Sequence, residues 1–302
     1  MQTPIKLAGF AVGLATVFGA AAGLGSLVGP IGSTADTPAH SDMQSDMESD
    51  AAATASAADI PGGLMVSQDG YTLELAEPEP AAGEQAPVAF RILGPDGTPV
   101  TDYTRTHGED LHLIAVRRDL TGFQHVHPEL ASDGTWDTEL DLVEPGDYRV
   151  FTDFTPAGSD QGMTLGADLS VAGAYDPQPL PEESRTVQVE DYTVTLEGDL
   201  VPGEESELTL SVSRDGEPVT DLQPYLEAYG HLAVLRDGDL AYLHVHPDGS
   251  PGDGSTQPGP DIMFHADVPS SGDYRLFLDF RHGDQVRTAD FTASAGHNEE
   301  ER

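Results

Sequence analysis

The stretch Gly146–Phe154, GDYRVFTDF, returns at Gly272–Phe280 as GDYRLFLDF. A turn glycine leads an alternating run whose third residue is tyrosine. Working outward, more of the chain proves to be written twice. PDGTPVTD (95–102) pairs with RDGEPVTD (214–221), and HLIAVRRDLTGFQHVHP (112–128) with HLAVLRDGDLAYLHVHP (231–247). Both pairs are offset by 119 positions, whereas the GDYR pair is offset by 126, so copy two holds a seven-residue insertion within DGSPGDGSTQPGPD. YTLEL at Tyr71 and YTVTL at Tyr192 begin the two copies. The duplication gives modules over residues 62–173 and 186–294, joined by a Pro/Glu-rich linker, 174–185.

Each module reads as β. Short runs such as APVAFRIL, DLHLIAV, TWDTELDL and TLGADLSV alternate between turn signals, and no stretch holds a helical apolar face for three turns. About seven short strands per module predict an all-β fold of two tandem Ig-like antiparallel β-sandwich modules. The GDYR segments resemble the entry to the F strand of Ig-like domains, where a tyrosine hydroxyl folds back to the preceding corner. There is no cysteine, so the Ig-type disulfide is absent, and thiolate metal sites and thiol catalysis are excluded.

The chain has 302 residues, with 53 acidic against 13 basic and a formal net charge of −40. Such a charge repels nucleic acid and anionic lipid and suits solubility at high salt. Leu7–Val28 carries no charged residue and follows the basic Lys6. At about 1.5 Å per residue it is long enough for a transmembrane helix. Residues 1–33 are therefore expected to be a signal anchor or a cleaved signal peptide, leaving the rest plasma membrane-anchored and extracytoplasmic, or secreted. Residues 34–61 read as a disordered acidic linker. It contains His40, Met43 and Met47, a loose soft-metal tract. Residues 295–302 are a tail.

The repeated His-Val-His-Pro is the chemical signal. In copy two, Asp237-Gly238 reads as a two-residue hairpin turn, which sets His231 opposite His244. His246, two residues on, projects from the same face. Leu232, Val234, Leu243 and Val245 point the other way. The same register in copy one groups His112, His125 and His127. Cross-strand side chains start about 5 Å apart, a span that a metal can bridge. The expected metal ligands are thus His112, His125, His127, His231, His244 and His246, one three-histidine site per module, suited to copper, zinc or nickel. Without metal, the same histidines would form a hydrogen-bonded polar face or lie in solvent. Asp153 and Asp279 hold matched places late in the F strand. They could ligate or support a ligand, but solvent exposure is the favoured reading. His265 and His282 could add ligands in copy two only, while His107 and His297 have no counterpart in the repeat.

Cupin oxygenases also carry His-x-His on a strand. Here the acidic ligand expected after the second histidine is replaced by Gly249, Ser250 and Pro251, and no Pro-x-Gly-x-x-His segment follows. No nucleophile–base arrangement, phosphate loop or nucleotide fingerprint is visible, so no enzyme is expected. The run DLHLIAVRRDLTGFQHVHPEL with GDYRVFTDF resembles a group of exported, membrane-anchored actinobacterial β-sandwich proteins with an HLI-V-RDL--F-H-HP signature. His112, His125 and His127 fall on the signature histidines. Module two departs in its turn and keeps its histidines. The resemblance implies a link to copper or other heavy metals. The expected function is extracytoplasmic copper (Cu2+) or zinc binding for sequestration, delivery or resistance at the cell surface. The expected partners are metal ions and the membrane, with no nucleic acid. The alternatives are a structural or adhesive Ig-like module without metal and, third, a cupin-like metal-dependent enzyme.

Overall fold

The computed structural model describes residues 60–159 and 161–296. The expected N-terminal anchor, most of the linker with His40, Met43 and Met47, and His297 lie outside the described residues. Among the described residues no helix is long and apolar enough to cross a membrane.

The first half contains β1 (Ser67–Gln68), β2 (Tyr71–Leu75), β3 (Ala86–Leu93), β4 (Tyr103–Thr104), β5 (Leu111–Arg117), β6 (Gln124–Val126), β7 (Glu129–Leu130), β8 (Thr135–Leu140), β9 (Gly146–Pro156) and β10 (Met163–Val171). The second contains β11 (Thr186–Val189), β12 (Tyr192–Glu197), β13 (Glu205–Arg214), β14 (Glu217–Pro218), β15 (Gly230–Arg236), β16 (Val245–Pro247), β17 (Asp261–Asp267), β18 (Gly272–His282) and β19 (Gln285–Ala295). The sheets run β1-β2-β3-β8-β7 and β10-β9-β5-β6 in the first half, then β11-β12-β13-β17-β16 and β15-β18-β19 in the second. Every ladder is antiparallel.

Each pair of sheets closes on its own core. Phe90, Trp136, Leu113, Val150 and Leu165 meet in the first sandwich, and Val194, Leu210, Phe264, Leu276 and Phe291 in the second. The period of two along the strands sorts these residues inward. The Tyr148 hydroxyl donates to Glu144 O at 2.9 Å, and the Tyr274 hydroxyl to Ser270 O at 2.7 Å. Both GDYR segments therefore build the corner expected of them. We expect Tyr148→Phe and Tyr274→Phe each to lower stability by about 1 kcal/mol in urea unfolding. Unchanged midpoints would show that the corners add nothing.

A third apolar cluster joins the sandwiches. All seven residues of β5 are buried. Leu111, Leu113 and Ala115 enter the first core, while Ile114 and Val116 face the other way. There they meet Phe151, Ala233, Leu235 and Phe277, with the turn residues Leu120 and Leu240. Phe123 stacks on Phe277, ring centroids 4.1 Å apart and planes 5° from parallel. The linker takes part, since Leu180 packs on this cluster and the Gln178 amide donates to Asp119. Both sandwiches belong to one compact unit. Gly63 lies at its edge with φ +73, and a Cβ there would meet the Phe151 ring at 2.2 Å. Glycine is thus required on both steric and conformational grounds.

Candidate metal centre at the seam

His112 lies on β5 between Leu111 and Leu113, so the alternation that sends those two into the core aims it into the seam. The hairpin register differs from the expected one by two residues. Ile114, not His112, stands opposite His125, and Leu113 stands opposite Val126. In copy two the Leu243 amide donates to Val234 O and the Ala241 carbonyl accepts from the Arg236 amide. The turn therefore spans four residues rather than the two of Asp237-Gly238. Its chemistry lies in Asp239, whose carboxylate accepts from the Arg236 guanidinium and the Ala241 amide. Asp119 plays this part in copy one, with Arg117 and Thr121. Leu120 and Leu240 follow with φ 62 and 61, their side chains buried in the seam. Burial of these leucines and the Arg–Asp pairs outweigh the local Asp-Gly preference. A shift of two preserves the face, so His112, His125 and His127 still share one side.

Among the described residues, these three form the one group of histidines or carboxylates whose ligand atoms all lie within 4.8 Å of one another. His112 Nδ1 is 3.3 Å from His125 Nε2 and 3.2 Å from His127 Nε2. The opposite nitrogens are engaged elsewhere. His112 Nε2–H donates to Thr106 O at 2.9 Å, and His125 Nδ1–H donates to Asp279 Oδ2 at 2.9 Å. A carbonyl and a carboxylate only accept, which places the ring protons on those nitrogens. In the neutral rings the lone pairs of His112 Nδ1 and His125 Nε2 then face each other. Two nitrogens held at about 2.05 Å by a tetrahedral ion are about 3.3 Å apart. The residues present therefore fit a metal ion.

The copy-two histidines are distributed differently. His231 Nε2–H donates to Tyr225 O at 2.8 Å and contacts Leu226 O at 3.1 Å, repeating the His112 anchor 119 residues on. Its ring lies against the first cluster, 5.3 Å from His107, 6.3 Å from His125 and 6.5 Å from His112 by centroids. His244 and His246 are exposed, with ring centroids 4.0 Å apart. Strand β16 pairs with β17 in the other sheet and sets His246 opposite His265. His231 thus does not share a compact group with His244 and His246. His282 is occupied by the Tyr192 hydroxyl at 2.7 Å and Asp221 at 3.1 Å.

The favoured exposure of the two aspartates does not hold. Asp153 is opposite His112 in the β5–β9 ladder, and Asp279 opposite His231 in the β15–β18 ladder. Asp279 is 4% exposed and Asp153 half-buried. Both line a cavity of about 60 Å³ together with His107, His112, His125 and His231. Sequence reasoning missed that these groups meet across the modules. The matched places of the aspartates were the available signal, whereas His107 had none.

Burial holds the His112 imidazole down to about 3, with the neighbouring histidines adding to the effect. Burial likewise holds His127 and His231 down to about 4. These rings are neutral at physiological pH, as ligands must be. The same shifts govern stability. In the unfolded chain a histidine takes up a proton near pH 6.5, and in the folded one it does so only near 3 to 4. The unfolded state binds more protons between these values, so stability is fully present above about pH 6.5 and falls as pH drops. We expect the metal-free protein to lose up to about 1.4 kcal/mol per pH unit for each such histidine between pH 6 and 4. A flat urea midpoint over that range would contradict the burial of these rings.

No curated protein matches the chain. Among solved structures, the Escherichia coli adhesin FdeC is 17% identical, with 76% of this chain and 65% of that chain covered and a TM-score of 0.23. A membrane-anchored protein from Corynebacterium diphtheriae is 14% identical, covering 76% of this chain and 57% of that one, with a TM-score of 0.23. The surface-layer protein SbsC, domains 5–6, is 11% identical, covering 75% and 97%, with a TM-score of 0.22. At these scores the sandwich is established by its own ladders and tyrosine corners. Residues 66–170 and 186–297 match a domain of unknown function, DUF8832, and the chain, two repeats of that domain joined along a histidine-lined seam, belongs to the DUF8832 family.

Proposed function

We propose that this protein binds a metal ion outside the cytoplasm, tethered by its N-terminal segment, and serves in copper or zinc sequestration, delivery or resistance at the cell surface. The observation that carries the reading is the pair of imidazole lone pairs fixed toward each other at 3.3 Å, with a third imidazole nitrogen 3.2 Å from the same atom. Facing lone pairs repel, and a cation between them converts the repulsion into two bonds. Imidazole donors suit Cu(II) and Zn²⁺ alike, and copper is the reading that the signature of the first module favours. The geometry supports one site per chain rather than one per module.

The experiment is a titration of the metal-free protein with Zn²⁺ and with Cu(II) in about 0.5 M salt, where diffuse binding to the acidic surface is screened. One saturable equivalent is expected. Both cores are closed by apolar side chains, so the EDTA-treated protein should melt cooperatively. Zn²⁺ at 100 times its Kd should add about 2.7 kcal/mol by mass action. Uptake that never saturates and produces no thermal shift would refute the reading.

A second reading is a structural or adhesive Ig-like surface module. It is favoured by the bonds from His112 and His231 to Thr106 and Tyr225, which brace matching turns without any ion. That reading predicts no stoichiometric uptake of either metal.

A further inference from the structure

We infer that Asp279, in the second sandwich, is the positioning residue for the histidine cluster of the first, so that the cluster reaches full metal affinity only while the sandwiches are docked. The inference rests on the metal-binding reading and adds to it a control residue from the other module. His125 has two nitrogens and must offer Nε2 to the cluster. The Asp279 carboxylate, 2.9 Å from Nδ1, holds the proton on that side and leaves the Nε2 lone pair free, 3.3 Å from His112 Nδ1. A buried carboxylate on the far nitrogen of a ligating imidazole fixes its tautomer and ring angle and raises its basicity.

Asp279 is itself held. The Thr288 hydroxyl donates to its Oδ1 at 2.6 Å, and Leu278 and Phe280 on either side are buried in the second core. The carboxylate cannot follow His125 if the modules separate, because β18 moves with the second sandwich. The repeat supplies an internal comparison. Asp153, at the matched place in the first sandwich, accepts from Thr164 at 3.3 Å, and no hydrogen bond joins it to His244. His244 is exposed, and among the described residues no three-histidine group assembles around it. The cluster is found on the side of the seam where the crossing carboxylate bond is made.

The test uses the full chain, with Zn²⁺ as the probe and ¹⁵N-labelled histidine. In the metal-free wild type, long-range ¹H–¹⁵N spectra should show His125 as the Nδ1–H tautomer, and Asp279→Ala should move it toward Nε2–H. Zn²⁺ affinity should fall about 10- to 100-fold in Asp279→Ala, with the single equivalent retained. Asp279→Asn keeps an acceptor oxygen of the same shape without the charge, and its loss should be smaller. A cooperative melt of the Asn variant separates positioning from misfolding. A wild-type His125 that is mainly Nε2–H would overturn the inference, as would unchanged zinc affinity in both variants. If the wild type binds no zinc, the metal reading fails, and the tautomer alone still decides whether Asp279 sets the His125 ring.

Discussion

Replacing His125 and His127 together with alanine should abolish the single saturable equivalent of Zn²⁺ or Cu(II), weakening binding by at least 100-fold. Two of three donors are lost, and among the described residues no other three histidines or carboxylates bring their ligand atoms within 4.8 Å of one another. The sequence reading, with one site in each module, expects half of the capacity to survive. The seam geometry predicts that none survives at high affinity, because His231 turns toward the first cluster while His244 and His246 lie exposed beside β17. The double variant should melt cooperatively at a lower temperature, since the buried Asp279 carboxylate loses His125 and keeps Thr288. Calorimetric titration of wild type and double variant, with their melting curves, distinguishes the outcomes. A full equivalent remaining in the double variant would place the site elsewhere.

The second large effect concerns the seam. Phe277→Ala should destabilise the protein by about 3–5 kcal/mol, the usual range when a buried phenylalanine leaves a cavity. Phe277 is 3% exposed and stacks face to face on Phe123, so its truncation empties the contact between the sandwiches without touching either internal core. The same change should weaken zinc binding, because Asp279 lies two residues away on the same strand and depends on docking to reach His125. Urea unfolding with and without zinc measures both effects. A cost below about 1 kcal/mol, with zinc affinity intact, would mean that the two sandwiches behave independently in solution.

Much of the architecture was legible. The duplicated GDYR segments marked matching strands, and their tyrosines close the corners at Glu144 and Ser270. The side on which each residue falls was legible as well. Leu232, Val234 and Leu243 enter the second core, and His112, Ile114 and Val116 face away from the first. What misled was the Asp-Gly signal at Asp237-Gly238. Asp239 with Arg236, and the burial of Leu240, set a longer turn and move the register by two.

That difference separates two kinds of information. Faces, cores and corners follow from a period of two and from bonds spanning a few residues, so the sequence alone determined them, together with the three histidines of copy one as a group. The contacts across the seam depend on residues that no local pattern connects. His125 and Asp279 are 154 positions apart, and they meet because the β5 face and the β15–β18 face each carry an apolar stripe that water would otherwise cover. Burying those stripes against each other brought Asp279 to the ring of His125 and His231 against His107. Only the tertiary structure decided this, because apolar association is non-directional and its partners are chosen by the shape of the whole seam.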